Sequence, residues 1–251
     1  MITRRGLIGS LAAGAGGLLL SGCNKINADP MVRNVLKSAG GLTMRAQRII
    51  TDRSALAREF TAADLSPLFR ANGTRLPAGA DYAAHKASGF ADWRIGIDGL
   101  VARPLALSLA QLRAMPQRTQ ITRHDCVEGW SAIGQWTGVP LKLLLDQAGL
   151  RSNARYLIFH CADRYGATPY YESIDLIDAF HPQTIIAWAL NGQPLPVGNG
   201  APLRLRVERQ LGYKHAKYVE RIEAVDSLAR HGGGKGGYWE DSHDYQWYAG
   251  I

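Results

Sequence analysis

Apolar and polar residues alternate with period two over "DWRIGIDGLV" at 92–101, which predicts a strand turned at Asp98 and Gly99. The period then lengthens, and "SLAQLRAM" at 108–115 predicts a short helix N-capped by Ser108 and stopped by Pro116. "TQITRHDC" at 119–126 predicts a strand that delivers Cys126 into an irregular loop, "VEGWSAIGQWTG". "VPLKLLLDQAGL" predicts an amphipathic helix closed by Gly149 as a left-handed cap. Beyond it come a buried strand "ARYLIFHCAD" ending at Cys161, a short helix "SIDLIDAF", a buried strand "TIIAWAL", and a hairpin-type turn "NGQPLP". A strand "APLRLRVE", a loop "GYKHAK" and a last strand "YVERIEAVDS" follow. Upstream, 24–60 reads as a linker followed by a helix or extended arm, with helical patterning in "DRSALAREF", and 66–79 as loop. The order is mixed α+β, without internal repeats or a strict βαβ series.

Composition adds only a bound: 251 residues, 46% apolar and 20% charged, suffice for one large core. The formal charge of +8 comes from scattered residues, not from a basic block. It predicts solvated surface with one anion pocket and no nucleic-acid partner. The N-terminus changes the picture more. Arg4 and Arg5, an uncharged stretch from Gly6 to Ser21, and small residues before Cys23 predict an export signal over 1–23. The arginine pair resembles the twin-arginine signal, and "LLSGC" resembles a lipobox in which Cys23 is lipidated; an uncleaved anchor helix is the alternative.

With Cys23 assigned to lipid, Cys126 and Cys161 remain, and they could form one disulfide. Four roles compete for Cys126. A structural zinc site needs a second ligand pair that the sequence lacks. A nucleophile needs an oriented base, for which His124 and Asp125 are the ingredients. An inert buried thiol is the simplest role. The last is a thiolate on a soft, redox-active metal whose other ligands a cofactor supplies. Export in the folded state favours it, as do Asn199, Gly200 and Arg204 at a strand entrance and Lys214, His215 and Lys217 on a loop, a set suited to a phosphate or pterin. The tail from 229 is glycine-rich, then aromatic; Gly234–Lys235 lacks the Ser or Thr of a phosphate loop, so it reads as a flexible connection to a docking or oligomerising end.

"CVEGWS" with "W-x-G-V-P-L", then "HPQTIIAWALNGQPLPVGNGAPLRLRV", then "GYKHAKYVERIE", resembles the oxidoreductase molybdopterin-binding domain of the sulfite oxidase superfamily. Exported bacterial methionine sulfoxide reductase catalytic subunits are the most similar members in kind. The resemblance implies a mixed-sheet α+β domain over 65–228, preceded by a linker and arm at 24–64, without the C-terminal dimerisation sandwich. It implies molybdenum with one molybdopterin, Cys126 being both metal ligand and catalytic residue. Asn72, Asn199, Arg204, His215, Ala216 and Lys217 would contact the cofactor, and Cys161 would stand at a position where relatives carry threonine. Sulfite-oxidising members carry an arginine shortly after the cysteine. Here Val127, Glu128, Gly129, Trp130 and Ser131 follow, so reduction of an S-oxide or N-oxide is expected over sulfite oxidation. The implied setting is periplasmic and lipid-anchored, with a membrane haem protein or soluble cytochrome as electron partner, since no C-x-x-C-H motif occurs. A non-redox binding protein and a Cys126/His124 hydrolase are the rival classes.

Overall fold

Alternating burial makes strand β1 (Arg94–Gly99), whose Ile95 and Ile97 are inaccessible while their neighbours face outward. This is a computed structural model that describes residues 29–251. The expectations placed on 1–23 lie outside the described residues. Helix α1 (Pro30–Ile50) belongs to one compact unit, and residues 51–251 form a second.

In the second unit, β1 pairs with β2 (Leu105–Ser108) and runs parallel to β10 (Val219–Val225). Adding β5 (Tyr156–Tyr165) and β6 (Thr168–Asp175) gives a five-stranded mixed sheet of order β2-β1-β10-β5-β6. A second sheet has order β3-β4-β7-β8, with β9 (Arg204–Arg206) also on β7. Its members are β3 (Arg118–Asp125), β4 (Ser131–Pro140), β7 (Ile185–Leu190) and β8 (Gln193–Pro194). Helix α2 (Ala80–Ala87) precedes β1, and α3 (Leu109–Ala114), α4 (Leu141–Ala148) and α5 (Leu176–Ala179) connect the strands. Ser108 caps α3 and pairs reciprocally with Gln111 in a capping box, and Gly149 closes α4 at φ 68°, as the sequence predicts.

The main core joins Trp93, Ile95 and Ile97 with Leu141 and Leu144 of α4, Phe159 of β5, Leu205 of β9 and Ile222 of β10. A smaller one gathers Phe69, Trp136, Ile185 and Leu190 against the second sheet. Close packing there demands glycine: a Cβ at Gly138 would lie 2.2 Å from the Ile186 carbonyl oxygen, at the irregularity between β4 and β7.

Several expectations are corrected. "DRSALAREF" is not helical, because its backbone is spent on β3: Glu59 bridges Thr122, and the Phe60 N–H donates to the Ile121 carbonyl at 2.8 Å. The irregular loop after Cys126 is short, since β4 begins at Ser131. Strand β5 runs past Cys161 to Tyr165. Strand β6 has no counterpart in the sequence reading; Tyr170 to Ile174 are all buried, so the alternation that marks a half-buried strand is erased.

The tail causes that burial. Instead of serving as a flexible connection, it folds back through glycines at positive φ (Gly232, Gly234, Gly236) into a helix, α6 (Tyr238–His243). Its Glu240 reaches Lys214 at 2.6 Å, and Glu172 of β6 reaches the same ammonium at 2.7 Å, all three fully buried. Burial opposes the lysine charge, but the two carboxylates outweigh it and hold Lys214 above its ordinary range. Burial and the neighbouring Glu240 push Glu172 well up, towards its neutral acid. Lys214→Met, which leaves two buried acids without their cation, is expected to cost about 3–5 kcal/mol in urea denaturation. It should also make 232–245 the first segment cut in limited proteolysis; an unchanged cleavage pattern would show that the tail is held by other contacts.

Candidate active site

Strand β3 turns inward Gln120, Thr122 and His124, all nearly inaccessible, and then Cys126, a polar row where a core strand would carry apolar residues. Cys126 opens a five-residue turn closed by its N–H to the Trp130 carbonyl (2.9 Å) and by the Gly129 N–H to the Cys126 carbonyl (3.0 Å). The residue is 6% exposed, and it lines a cleft enclosing about 610 Å³, mouth included. Burial pushes the thiol up from its ordinary range, with Glu128 adding to it, and Asn72 Nδ2 donates to Sγ at 3.7 Å.

The cleft brings together Asn72, Cys126, Arg204, His215 and Lys217 of the expected set. Asn199 stands behind Arg204, its carbonyl accepting from Arg204 Nη1 at 3.2 Å. Ala216 is buried in the main core and acts through backbone, its carbonyl accepting from the Leu205 N–H at 2.8 Å. Cys161 is also a core residue, its thiol directed at the Phe159 carbonyl 3.7 Å away, and both described cysteines are free. The disulfide that the sequence left open is therefore not formed, and a cofactor contact at 161 would be through backbone.

The base needed for a cysteine nucleophile is missing. His124 spends Nδ1 on Arg206 Nη1 at 2.9 Å, and no hydrogen bond joins it to Cys126. Burial and the adjacent Arg204 and Arg206 hold His124 well below its ordinary range. Asp125 turns away to Arg123 (2.9 Å) and Ser131. Trp136 is a core residue beneath Arg206, whose guanidinium lies 4.3 Å from the ring, and Trp130 packs on His124 at 5.7 Å.

Electrostatically the site carries a surplus of buried cations. Arg204 and Arg206 are inaccessible, and Lys217 is nearly so. Glu208 pairs with Arg206 alone. Burial and Arg204 push Lys217 down to about 7, while its ammonium donates to the carbonyls of Asn72 at 2.7 Å and Gly198 at 3.0 Å, and to that of Thr74. Several buried polar atoms here lack partners: Arg204 Nε, Asn199 Nδ2, His124 Nε2, His215 Nδ1 and Asp163 Oδ1. Arg204 Nε, Asn199 Nδ2 and His124 Nε2 are orphaned donors that, beside these buried cations, fit a large anion with ring nitrogens and phosphate, the chemistry of a pterin cofactor, while His215 Nδ1 and Asp163 Oδ1 are orphaned acceptors. Among the described residues no group of three His, Cys, Asp or Glu could hold a metal, so Cys126 could contribute one soft ligand and a cofactor the others. The loop passes close over the site only as glycine, since a Cβ at Gly212 would lie 2.4 Å from His124 Nε2.

Sequence reading missed Asp163, Tyr165, Tyr170, Tyr213, Trp239 and Tyr245, which also line the cleft. Only Asp163 left a signal, a carboxylate inside a buried strand. The aromatic residues of the tail reach the cleft through the fold-back on Lys214, which no local pattern announces.

The family described as oxidoreductase molybdopterin binding domain matches residues 82–231. The chain is 44% identical over 160 residues to a putative protein-methionine-sulfoxide reductase subunit, YedZ1, of Azospira oryzae, a stretch covering 64% of this chain and 56% of that protein. It is 37% identical over 156 residues to the protein-methionine-sulfoxide reductase catalytic subunit MsrP of Xanthomonas campestris, covering 58% and 48%. Among solved structures it resembles the sulfane dehydrogenase SoxCD of Paracoccus pantotrophus, with TM-score 0.51, 26% identity, and coverage of 55% of this chain and 39% of that one. The chain thus spans about half the length of the curated relatives it matches. Asn72 and the tail aromatics lie outside the matched segment, yet they close the same cleft. With Cys126, Arg204, His215 and Lys217 inside that segment and gathered at one cleft, this chain belongs to the oxidoreductase molybdopterin-binding domain family.

Proposed function

We propose that this protein is a periplasmic, lipid-anchored molybdenum oxidoreductase that reduces a neutral S-oxide, with electrons delivered by a separate membrane haem protein or soluble cytochrome. The observation that carries the reading is Cys126 facing a cleft whose buried cations and unpartnered donors want a large anionic cofactor. The names of the methionine sulfoxide reductase relatives support the substrate class. Arg204, Asn199, His215 and Lys217 would hold one molybdopterin, and Cys126 would ligate the molybdenum. When bound, that group supplies a metal that changes oxidation state by two electrons and exchanges oxygen with substrate.

The net reaction joins sulfoxide, two protons and two electrons to give sulfide and water. At the mouth, Glu128, Trp239 and Tyr245 offer a carboxylate and aromatic faces. A sulfite dianion is repelled by the first, while a thioether oxide packs against the others. Lys217 and Arg204 do line the cleft, but the anionic cofactor they would hold would take up their charge, leaving Glu128 as the charged group at the mouth. Asp163, pushed by burial from 3.8 to about 6, holds a proton at the cleft wall in mildly acidic medium.

Four outcomes are expected. Protein exported with its own signal should carry about one molybdenum per chain by elemental analysis. Cys126→Ser should lose the metal or at least about a hundredfold in activity towards methionine sulfoxide with an artificial electron donor. Activity with sulfite and none with sulfoxides or N-oxides would overturn the substrate assignment. Replacing Arg4 and Arg5 together by Lys should leave precursor in the cytoplasm, and normal export would remove the twin-arginine route. Between 3.8 and about 6, native Asp163 keeps a proton that the unfolded chain has lost. Stability of the cofactor-free protein should therefore fall as pH rises through that window. Asp163→Asn should abolish roughly 3 kcal/mol of that fall in urea denaturation, and parallel profiles for the two proteins would refute it.

A further inference from the structure

The loop that brings His215 and Lys217 to the cleft is also the loop that holds the tail. The Ile251 N–H donates to the Arg209 carbonyl at 3.0 Å, and the Leu211 N–H donates to the Ala249 carbonyl at 2.9 Å. Tyr213 Oη donates to the Gln246 carbonyl at 2.6 Å, and the Lys214 ammonium takes Glu240 on one side and Glu172 on the other. Beyond the loop, Trp247 Nε1 donates to Ser173 Oγ of β6 at 2.8 Å. The connection that leads into these contacts is soft. Residues 232–237 hold five glycines, which lose much conformational freedom when the tail docks. Close approach demands them all the same: a Cβ at Gly237 would overlap the carboxylates of Glu172 and Glu240.

Taking the molybdopterin reading above as its basis, we infer that Lys214, Glu172 and Glu240 are positioning residues for the cofactor, and that the tail is the strap that retains it. Docked tail and bound cofactor share one loop, 209–217. Whichever arrives first orders that loop and lowers the ordering cost for the other, and such coupling is reciprocal. The strap has a second means of retention. Its Trp239 and Tyr245 line the cleft, with Trp239 against Tyr165 at 5.1 Å and Tyr245 against Tyr213 at 5.1 Å. An undocked tail would therefore uncover the cleft as well as loosen the loop.

The test uses the full chain prepared with and without molybdopterin. Tryptic cutting at Lys235 reads undocking, because in the docked tail the Lys235 N–H donates to Asp241 at 3.0 Å and its ammonium to Asp244 at 2.6 Å. Cutting there should be about tenfold or more faster in the cofactor-free chain. Retention is read anaerobically, as transfer of pterin to an excess of tagged cofactor-free chain, measured by the fluorescence of the oxidised pterin. Glu240→Gln should speed that transfer about tenfold. Trp247→Phe, a milder change that removes the indole N–H donated to Ser173, should speed it in the same direction. Leu112→Ala in the core side of α3 destabilises the fold generally and should leave transfer unchanged. Equal cutting of the two forms, unchanged transfer from Glu240→Gln, or transfer from Leu112→Ala as fast as from Glu240→Gln would overturn the inference and leave the molybdopterin reading standing. A wild-type chain exported without pterin would remove that reading, and this inference with it.

Discussion

One buried lysine holds the working parts of this protein in register. Lys214 sits in the loop that passes over the cleft, and its ammonium is gripped by Glu172 from the mixed sheet and Glu240 from the tail. Three ionisable groups without solvent access are costly to assemble, and removing any one strands the others. Such an arrangement fixes positions more than it adds stability. His215 and Lys217 follow Lys214 by one and three residues, and Trp239 precedes Glu240, so both lips of the cleft inherit their places from the same contact.

The cleft is also a place where the fold accepts local cost. Arg204 and Arg206 lie side by side over the Trp136 ring, with Glu208 answering only the second of them. His124 and His215 are pushed well down by burial and by those same guanidiniums, and unpartnered donors face inward. A domain selected for stability alone would fill such a site with apolar side chains or pair its charges. Here the polar inward row of β3 leads to Cys126, and the surplus positive charge is left for a ligand to neutralise. Sites of this kind trade folding free energy for preorganised binding.

Much of the architecture was legible locally. Period-two alternation located β1, Ser108 and Pro116 bounded α3, Gly149 closed α4, and Asn191–Gly192 at positive φ made the hairpin turn between β7 and β8. Each rests on interactions within a few residues, which a sequence states directly. Strand β6 was hidden because both its faces are covered, and "DRSALAREF" misled because its backbone groups pair with a strand sixty residues away.

For the site, the sequence by itself determined the chemistry available: a single thiol after a polar strand, a glycine-rich entrance to Arg204, and a basic loop at 214–217. It also determined the family, because those motifs occur in that order. Tertiary structure alone decided which of them meet. It turned His124 towards Arg206 and away from Cys126, buried Cys161 in the core, and brought Asp163, Trp239 and Tyr245 to the cleft wall. The reason is physical: hydrogen bonds within a turn or helix depend on neighbours in the chain, whereas burial and ion pairing across 26 residues, as between Lys214 and Glu240, exist only once the chain has closed on itself.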